Sequence, residues 1–218
     1  MKFMNRLARL TLCFGLTFLS AAFSMGQTEK TTAPPTSLKW YAEIAKQRGL
    51  TSTGTLDVPE GTSVRPLKEL VAKSLVVDGV VQSVTVDWSD GYQIFTWYRI
   101  KVFSRGQEPS WRGVVNFGEV PKSLPPAASD EILFRRPGGI AVVDGIRIEN
   151  QCDEPTLVVG DRYLFFLEPL RDNAFVSTFQ SEPIRLDGSG LIDHSYKRDF
   201  ARRFDQFHSP QDVQAFAK

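Results

Sequence analysis

The residues able to do chemistry are few and scattered. His194 and His208 stand fourteen positions apart, and with Cys152 they form no spacing that a zinc site uses. Asp193-His194-Ser195 contains the residue types of a nucleophilic triad, but neighbours in sequence do not align as acid, base and nucleophile. Gly188-Ser189-Gly190 reads as a turn without the strand-turn-helix setting of a nucleophile elbow, and no glycine motif cradles a phosphate. Asp87, Asp90, Asp153 and Glu154 would meet around a cation only through a coincidence of folding, and a carboxylate pair for glycoside hydrolysis would have to converge in space. The expected inventory therefore holds no catalytic residue, no metal ligand and no cofactor. A binding stripe is the better candidate. Phe95, Trp97, Arg99, Lys101, Phe103 and Arg105 alternate aromatic and basic side chains along one side of a strand, a pattern suited to carbohydrate, anionic or protein ligands. The competing reading, which is preferred, is that the N-terminal or C-terminal helix covers Phe95, Trp97 and Phe103 while the basic stems lie across the surface.

The stripe needs a hairpin to carry it. Leu75 to Trp88 and Tyr92 to Phe103 are rich in Val, Ile, Thr and aromatics, with Asp90-Gly91 between them. A three-residue loop, Ser89-Asp90-Gly91 with Gly91 left-handed, pairs Trp88 with Tyr92, Val86 with Ile94, Val84 with Thr96 and Val80 with Ile100. The even-numbered side chains then share one buried face and the odd-numbered ones face outward. Further strands are expected at Ile132 to Arg136, at a hairpin of Ile140 to Val143 and Ile146 to Glu149 across Asp144-Gly145, at the nearly continuous apolar run Arg162 to Glu168, and at Ala174 to Gln180 and Ile184 to Leu186. Helices flank this β-rich stretch. Ser37 caps one with Leu38, Tyr41, Ala42 and Ala45 on its apolar side and Gly49 at its end. Pro66 opens a second, with Leu67, Leu70 and Val71, that ends near Ser74. Thr51 to Val64 is turn-rich and yields no clear element. Tyr196, Phe200, Phe204 and Phe207 form an aromatic row at helical spacing, and Ser209-Pro210 starts a last helix with Val213 and Phe216. Lys197, Arg198, Arg202 and Arg203 are balanced by Asp199 and Asp205 and read as a solvated face.

The ends of the chain report compartment. Lys2, Arg6 and Arg9 precede an apolar run from Leu10 to Met25 that closes in small residues, the anatomy of a signal peptide cleaved after Gly26 or, as the alternative, after Ser24. The run is too short and polar for a comfortable membrane span. Cys13 leaves with the leader, so Cys152 is left without an intramolecular disulfide partner, and its neighbours Asp153 and Glu154 raise rather than lower a thiol pKa. The whole chain carries 26 basic and 25 acidic residues; without the three leader cations it is slightly acidic, which argues against a nucleic-acid binder built on bulk charge.

The expected organisation is a signal peptide over 1–26, a flexible N-terminus over 27–36, a helical segment over 37–74, a β-barrel domain over 75–187 and a C-terminal helical tail over 188–218. The helix ending in Leu70-Val71-Ala72-Lys73-Ser74, the strand Val77-Asp78-Gly79-Val80-Val81, the stretch Thr96 through Val102 to Gly106, Pro137-Gly138-Gly139, and Val159-Gly160-Asp161-Arg162-Tyr163-Leu164-Phe165-Phe166-Leu167 occur in that order. Over residues 67 to 187 this resembles a group of exported bacterial domains of unknown function that look like the barrel of netrin-type domains and tissue inhibitors of metalloproteinases. The resemblance implies an oligonucleotide/oligosaccharide-binding (OB) type of barrel and brings no catalytic residue. The inhibitors' N-terminal cysteine and disulfides are lacking in the mature sequence, so inhibition of metalloproteinases is not carried over. The expected fold is mainly β (α+β), an OB-like antiparallel barrel with short N-terminal helices and a C-terminal helix packed on it. The expected function is a non-catalytic, exported module, periplasmic or secreted, that binds an envelope or extracellular protein or glycan and no nucleic acid. The alternatives are an extracytoplasmic hydrolase and a structural subunit of an envelope assembly.

Overall fold

The alternation that begins at Leu75 does build a long hairpin, and a computed structural model shows what it is built into. Residues 33, 35–55, 65–111, 119–150, 156–171, 173–178, 181–195 and 199–216 are described. The elements are α1 (Leu38–Gln47), β1 (Ser52–Thr55), α2 (Leu67–Lys73), β2 (Leu75–Asp87), β3 (Phe95–Arg105), β4 (Glu131–Pro137), β5 (Gly139–Val143), β6 (Ile146–Asn150), β7 (Arg162–Arg171), β8 (Ala174–Ser177), β9 (Ile184–Leu186), α3 (Asp199–Arg202) and α4 (Pro210–Phe216). Local chemistry sets several boundaries. The Ser37 hydroxyl accepts from the Trp40 N–H at 3.1 Å and so caps α1. Asp144 and Gly145 both take positive φ, 49° and 82°, which fits the two-residue turn between β5 and β6. No described helix is long and apolar enough to cross a membrane.

The fold is mainly β. Six strands form one sheet in the order β2-β3-β4-β8-β7-β9, and β2 also pairs with β7. Neighbours are antiparallel except β4 and β8, which are parallel. β2 is long enough to serve two partners: Leu75–Val80 pair with β7, and Val77–Asp87 pair with β3. Where both partners crowd it, Gly79 is required, since a Cβ there would lie 2.7 Å from the Lys101 carbonyl oxygen. A second sheet has the order β1-β6-β5, with β1 parallel to β6; β1 falls in the turn-rich stretch that gave no clear element.

Three apolar clusters hold these layers together. Leu75, Val77, Val81, Tyr98, Ile100, Phe134, Phe165 and Leu167 pack between the strands of the larger sheet. Val76, Leu164 and Phe166 point to the other side, where α2, Phe204, Phe207 and Val213 cover them. Leu38, Ala42 and Ala45 of α1 pack on Ala141, Val143, Ile146 and Ile148 of the smaller sheet. The aromatic row of the tail is thus used for packing, although among the described residues of that row's stretch only Asp199–Arg202 is α-helical; Tyr196 lies outside the described residues.

The expected register needs two corrections. The strands part at Asp87 and Phe95, so the loop is Trp88–Ile94 rather than three residues, and Val84 faces Tyr98 instead of Thr96. This shift is by two residues, so parity survives in β3, where Tyr98 and Ile100 are buried. It fails in β2. Irregularities between Val81 and Ser83, and between Asp78 and Gly79, place Val81 opposite Ile100, because an extra residue in one strand inverts the facing of everything beyond it. Leu75, Val77 and Val81 therefore enter the interior; Val84 and Val86 keep the side of Tyr98 and Thr96, opposite which they pair, and are nevertheless exposed.

Candidate functional site

The aromatic and basic residues of β3 do not form one continuous exposed stripe. Trp97 is only 2% exposed and packs with Leu133 and Ala174, and Phe95, Val120, Leu124, Ala127 and Leu170 lie against them. The cover is thus the chain's own segment around 120–127, and neither the N-terminal nor the C-terminal helix belongs to this cluster. The expectation of a covered face holds for Phe95 and Trp97 and fails for Phe103, which is 55% exposed, and the expected cover is corrected. Helices cannot lie there because α1 is committed to the smaller sheet and α2 and α4 to the opposite side of β2 and β7.

Arg99 fastens this strap. Its guanidinium donates to the Pro125 carbonyl at 2.6 Å, the Pro126 carbonyl at 3.2 Å and the Glu131 carboxylate at 2.8 Å. Glu131 also accepts from the Ala128 N–H at 3.1 Å. That backbone bond, followed by the Arg99 bond, holds the Glu131 carboxyl below the usual carboxylate range. Arg135 lies over the Phe95 ring, 4.5 Å from its centroid, and burial lowers its pKa.

Lys101, Phe103 and Arg105 remain exposed. Phe103 has Arg162 4.7 Å from its ring centroid, and Arg162 makes a two-pronged ion pair with Asp78 at 2.7 and 2.6 Å. The Asp78 carboxylate is 1% exposed, and its hydrogen bonds raise the Arg162 pKa. Gly190 closes over the guanidinium, where any side chain would collide. Lys101 is 3.9 Å from Asp130, and Arg105 is 3.8 Å from Glu108.

The motifs that resembled catalytic ones resolve into turns. Asp193 accepts from the Ser195 N–H and hydroxyl, and Asp187 from the Ser189 N–H and hydroxyl. His194 and His208 meet edge to face with centroids 6.1 Å apart, and His194 Nδ1 is 3.7 Å from Asp205. Asp90 accepts from the Tyr92 and Gln93 N–H groups. Cys152, Asp153 and Glu154 lie outside the described residues.

A different surface is open. Val84, Val86, Trp88 and Tyr92 are 43, 36, 39 and 52% exposed, and they follow one another along the end of β2 and its loop. This ledge exists because β7 stops supporting β2. The last contacts run from the Val81 N–H to the Asp161 carbonyl and from the Gly160 N–H to the Val81 carbonyl, 3.1 and 2.8 Å, after which Gly160, with φ 92°, turns the chain away. The loop is nevertheless held. The Leu38 N–H, at the start of α1, donates to the Gly91 carbonyl at 2.8 Å, and the Gly138 N–H donates to the Ile94 carbonyl at 2.7 Å. Two exposed aromatics therefore stand on a fixed support. Sequence reasoning assigned Val84 and Val86 to the interior and missed this surface; the absence of Lys, Arg and Pro from Gln82 to Tyr92 was the available signal.

Compared with known proteins, the sequence matches no family model and no curated relative. The netrin-type resemblance therefore rests on the quoted residues.

Proposed function

We propose that the chain is an exported, non-catalytic interaction module on an OB-type barrel, and that it engages its partner through the ledge of Val84, Val86, Trp88 and Tyr92. The barrel reading is supported by the path of pairings β2-β3-β4-β8-β7, which returns to β2, with a long first strand shared between two partners and a parallel pairing between the third and fifth. OB-type barrels take oligonucleotides and oligosaccharides on the outer face of their second and third strands. Here that face corresponds to β3 and β4, and the 120–127 strap already lies on it. The reading of export comes from the leader sequence.

The observation that carries the proposal is a run of exposed apolar side chains on a backbone that is itself tied down. Rigid aromatics on a preset loop bind with little further loss of conformational freedom, and Trp and Tyr dominate the energetics of protein interfaces. The test is photocrosslinking in the producing cell with a probe at Trp88, at Tyr92, and at Ser195 on a distant turn as control. Discrete protein adducts from the first two positions and none from the third are expected; the same adducts from all three would overturn the proposal.

A further inference from the structure

Resting on the reading of the ledge as an interaction surface, we infer that its occupant is a second copy of this chain, added by antiparallel pairing of β2 with β2 of the copy about a twofold axis at Thr85. Among the described residues, the strand beyond Val81 pairs on one side only, with β3, and Gln82, Ser83, Val84, Thr85 and Val86 are all exposed. Edges of this kind are usually blocked by Lys, Pro or an inward charge. This one carries none of them. Its one charge, Asp87, closes the strand, so a highly charged peptide finds little to pair with, whereas the edge matches itself.

The axis follows from register. With Thr85 opposite Thr85 of the copy, Val84 meets Val86 and Ser83 meets Asp87, which gathers four valines on one face and hydroxyls with carboxylates on the other. A slip that sets Val84 opposite Thr85 mixes apolar and polar side chains on both faces. Centring on Val84 would call on Val81, whose N–H and carbonyl are already bonded to Asp161 and Gly160. Centring on Val86 would call on Trp88 and Ser89, which have left the strand. Only the Thr85 axis uses free strand throughout. A pairing this short gives a weak, concentration-dependent dimer.

Sedimentation equilibrium of the purified protein tests this, with Thr85→Lys and Thr85→Val beside the wild type. Thr85→Lys puts like charges directly opposite across the axis, so self-association should weaken by about tenfold or more while the melting temperature in dilute solution is unchanged. Thr85→Val should associate as the wild type does. With Cys13 and Cys152 replaced by Ser, Thr85→Cys should oxidise to a linked dimer faster than Ser83→Cys. Equal association of wild type and Thr85→Lys overturns the pairing. A protein that stays monomeric but whose Trp88 probe captures a different protein overturns self-pairing and leaves the ledge an interaction surface; a monomer with no capture at Trp88 overturns both.

Discussion

The strapped face of β3 and the open end of β2 lie on the same hairpin, and the more apolar of the two strand ends is the one left open. The first carries Phe95, Trp97 and Arg99 of the candidate binding stripe, and the chain covers it with its own segment. The second carries valines expected inside, and nothing described packs over Val84 enough to bury it. What separates them is the element that crosses each one. An arginine with its donors committed to Pro125, Pro126 and Glu131 is an anchor for the chain, whereas a β-strand whose neighbour turns away becomes a surface.

The largest effect that would sharpen this contrast comes from truncating one tryptophan on each side. Trp97→Ala should cost about 3–5 kcal/mol, because a filled space beneath the strap is emptied, while Trp88→Ala should change stability by no more than about 0.5 kcal/mol. Urea denaturation of both variants checks it, and equal costs would break the comparison. Next in size is Arg162→Met, further down the hairpin where β7 still pairs with β2. It leaves the buried Asp78 carboxylate unpaired, for an expected loss of about 3 kcal/mol; a loss below that of ordinary surface substitutions would contradict the ion pair. Arg99→Ala should cost about 1–2 kcal/mol through its lost hydrogen bonds and should make Trp97 accessible to acrylamide. Trp97 fluorescence that is quenched no faster than before would show that the strap holds without its anchor.

The smallest effect is in acid. Because the Glu131 carboxyl is held below its usual range, by Ala128 first and Arg99 second, its charged form stabilises the folded state above the ordinary glutamate value of about 4.3. That contribution is lost as the pH falls through the depressed folded value. The stability difference between wild type and Glu131→Gln should therefore be steady near neutrality and shrink in acid. A difference that grows on acidification would contradict the hydrogen bonding described for Glu131.

Much of the fold was legible where the determinant is local. Ser37 as a cap, Asp144-Gly145 as a tight turn and the apolar run through Phe165 and Phe166 each act over a few residues, and each is found as expected. The irregularity near Gln82 was not legible, since no Gly or Pro marks it and it arises where β2 changes from two partners to one. The strap was hidden for a related reason: Val120, Leu124 and Ala127 are sparse apolar residues in a Pro-rich segment, and their place over Trp97 is decided by packing at long range. The ledge was misread for the same reason: Val84 and Val86, opposite Tyr98 and Thr96, keep the side expected of them, but β2 has there lost β7 as a neighbour and that side is left open.

The most direct measurement is fluorotryptophan NMR of the Thr85→Lys protein with a soluble paramagnetic agent, which reads the four tryptophans separately. The resonance of Trp88 should broaden strongly and that of Trp97 hardly at all, with Arg99→Ala moving Trp97 toward the exposed behaviour. A Trp97 that broadens as readily as Trp88 in the unmutated strap would contradict the division of the hairpin into a closed face and an open one.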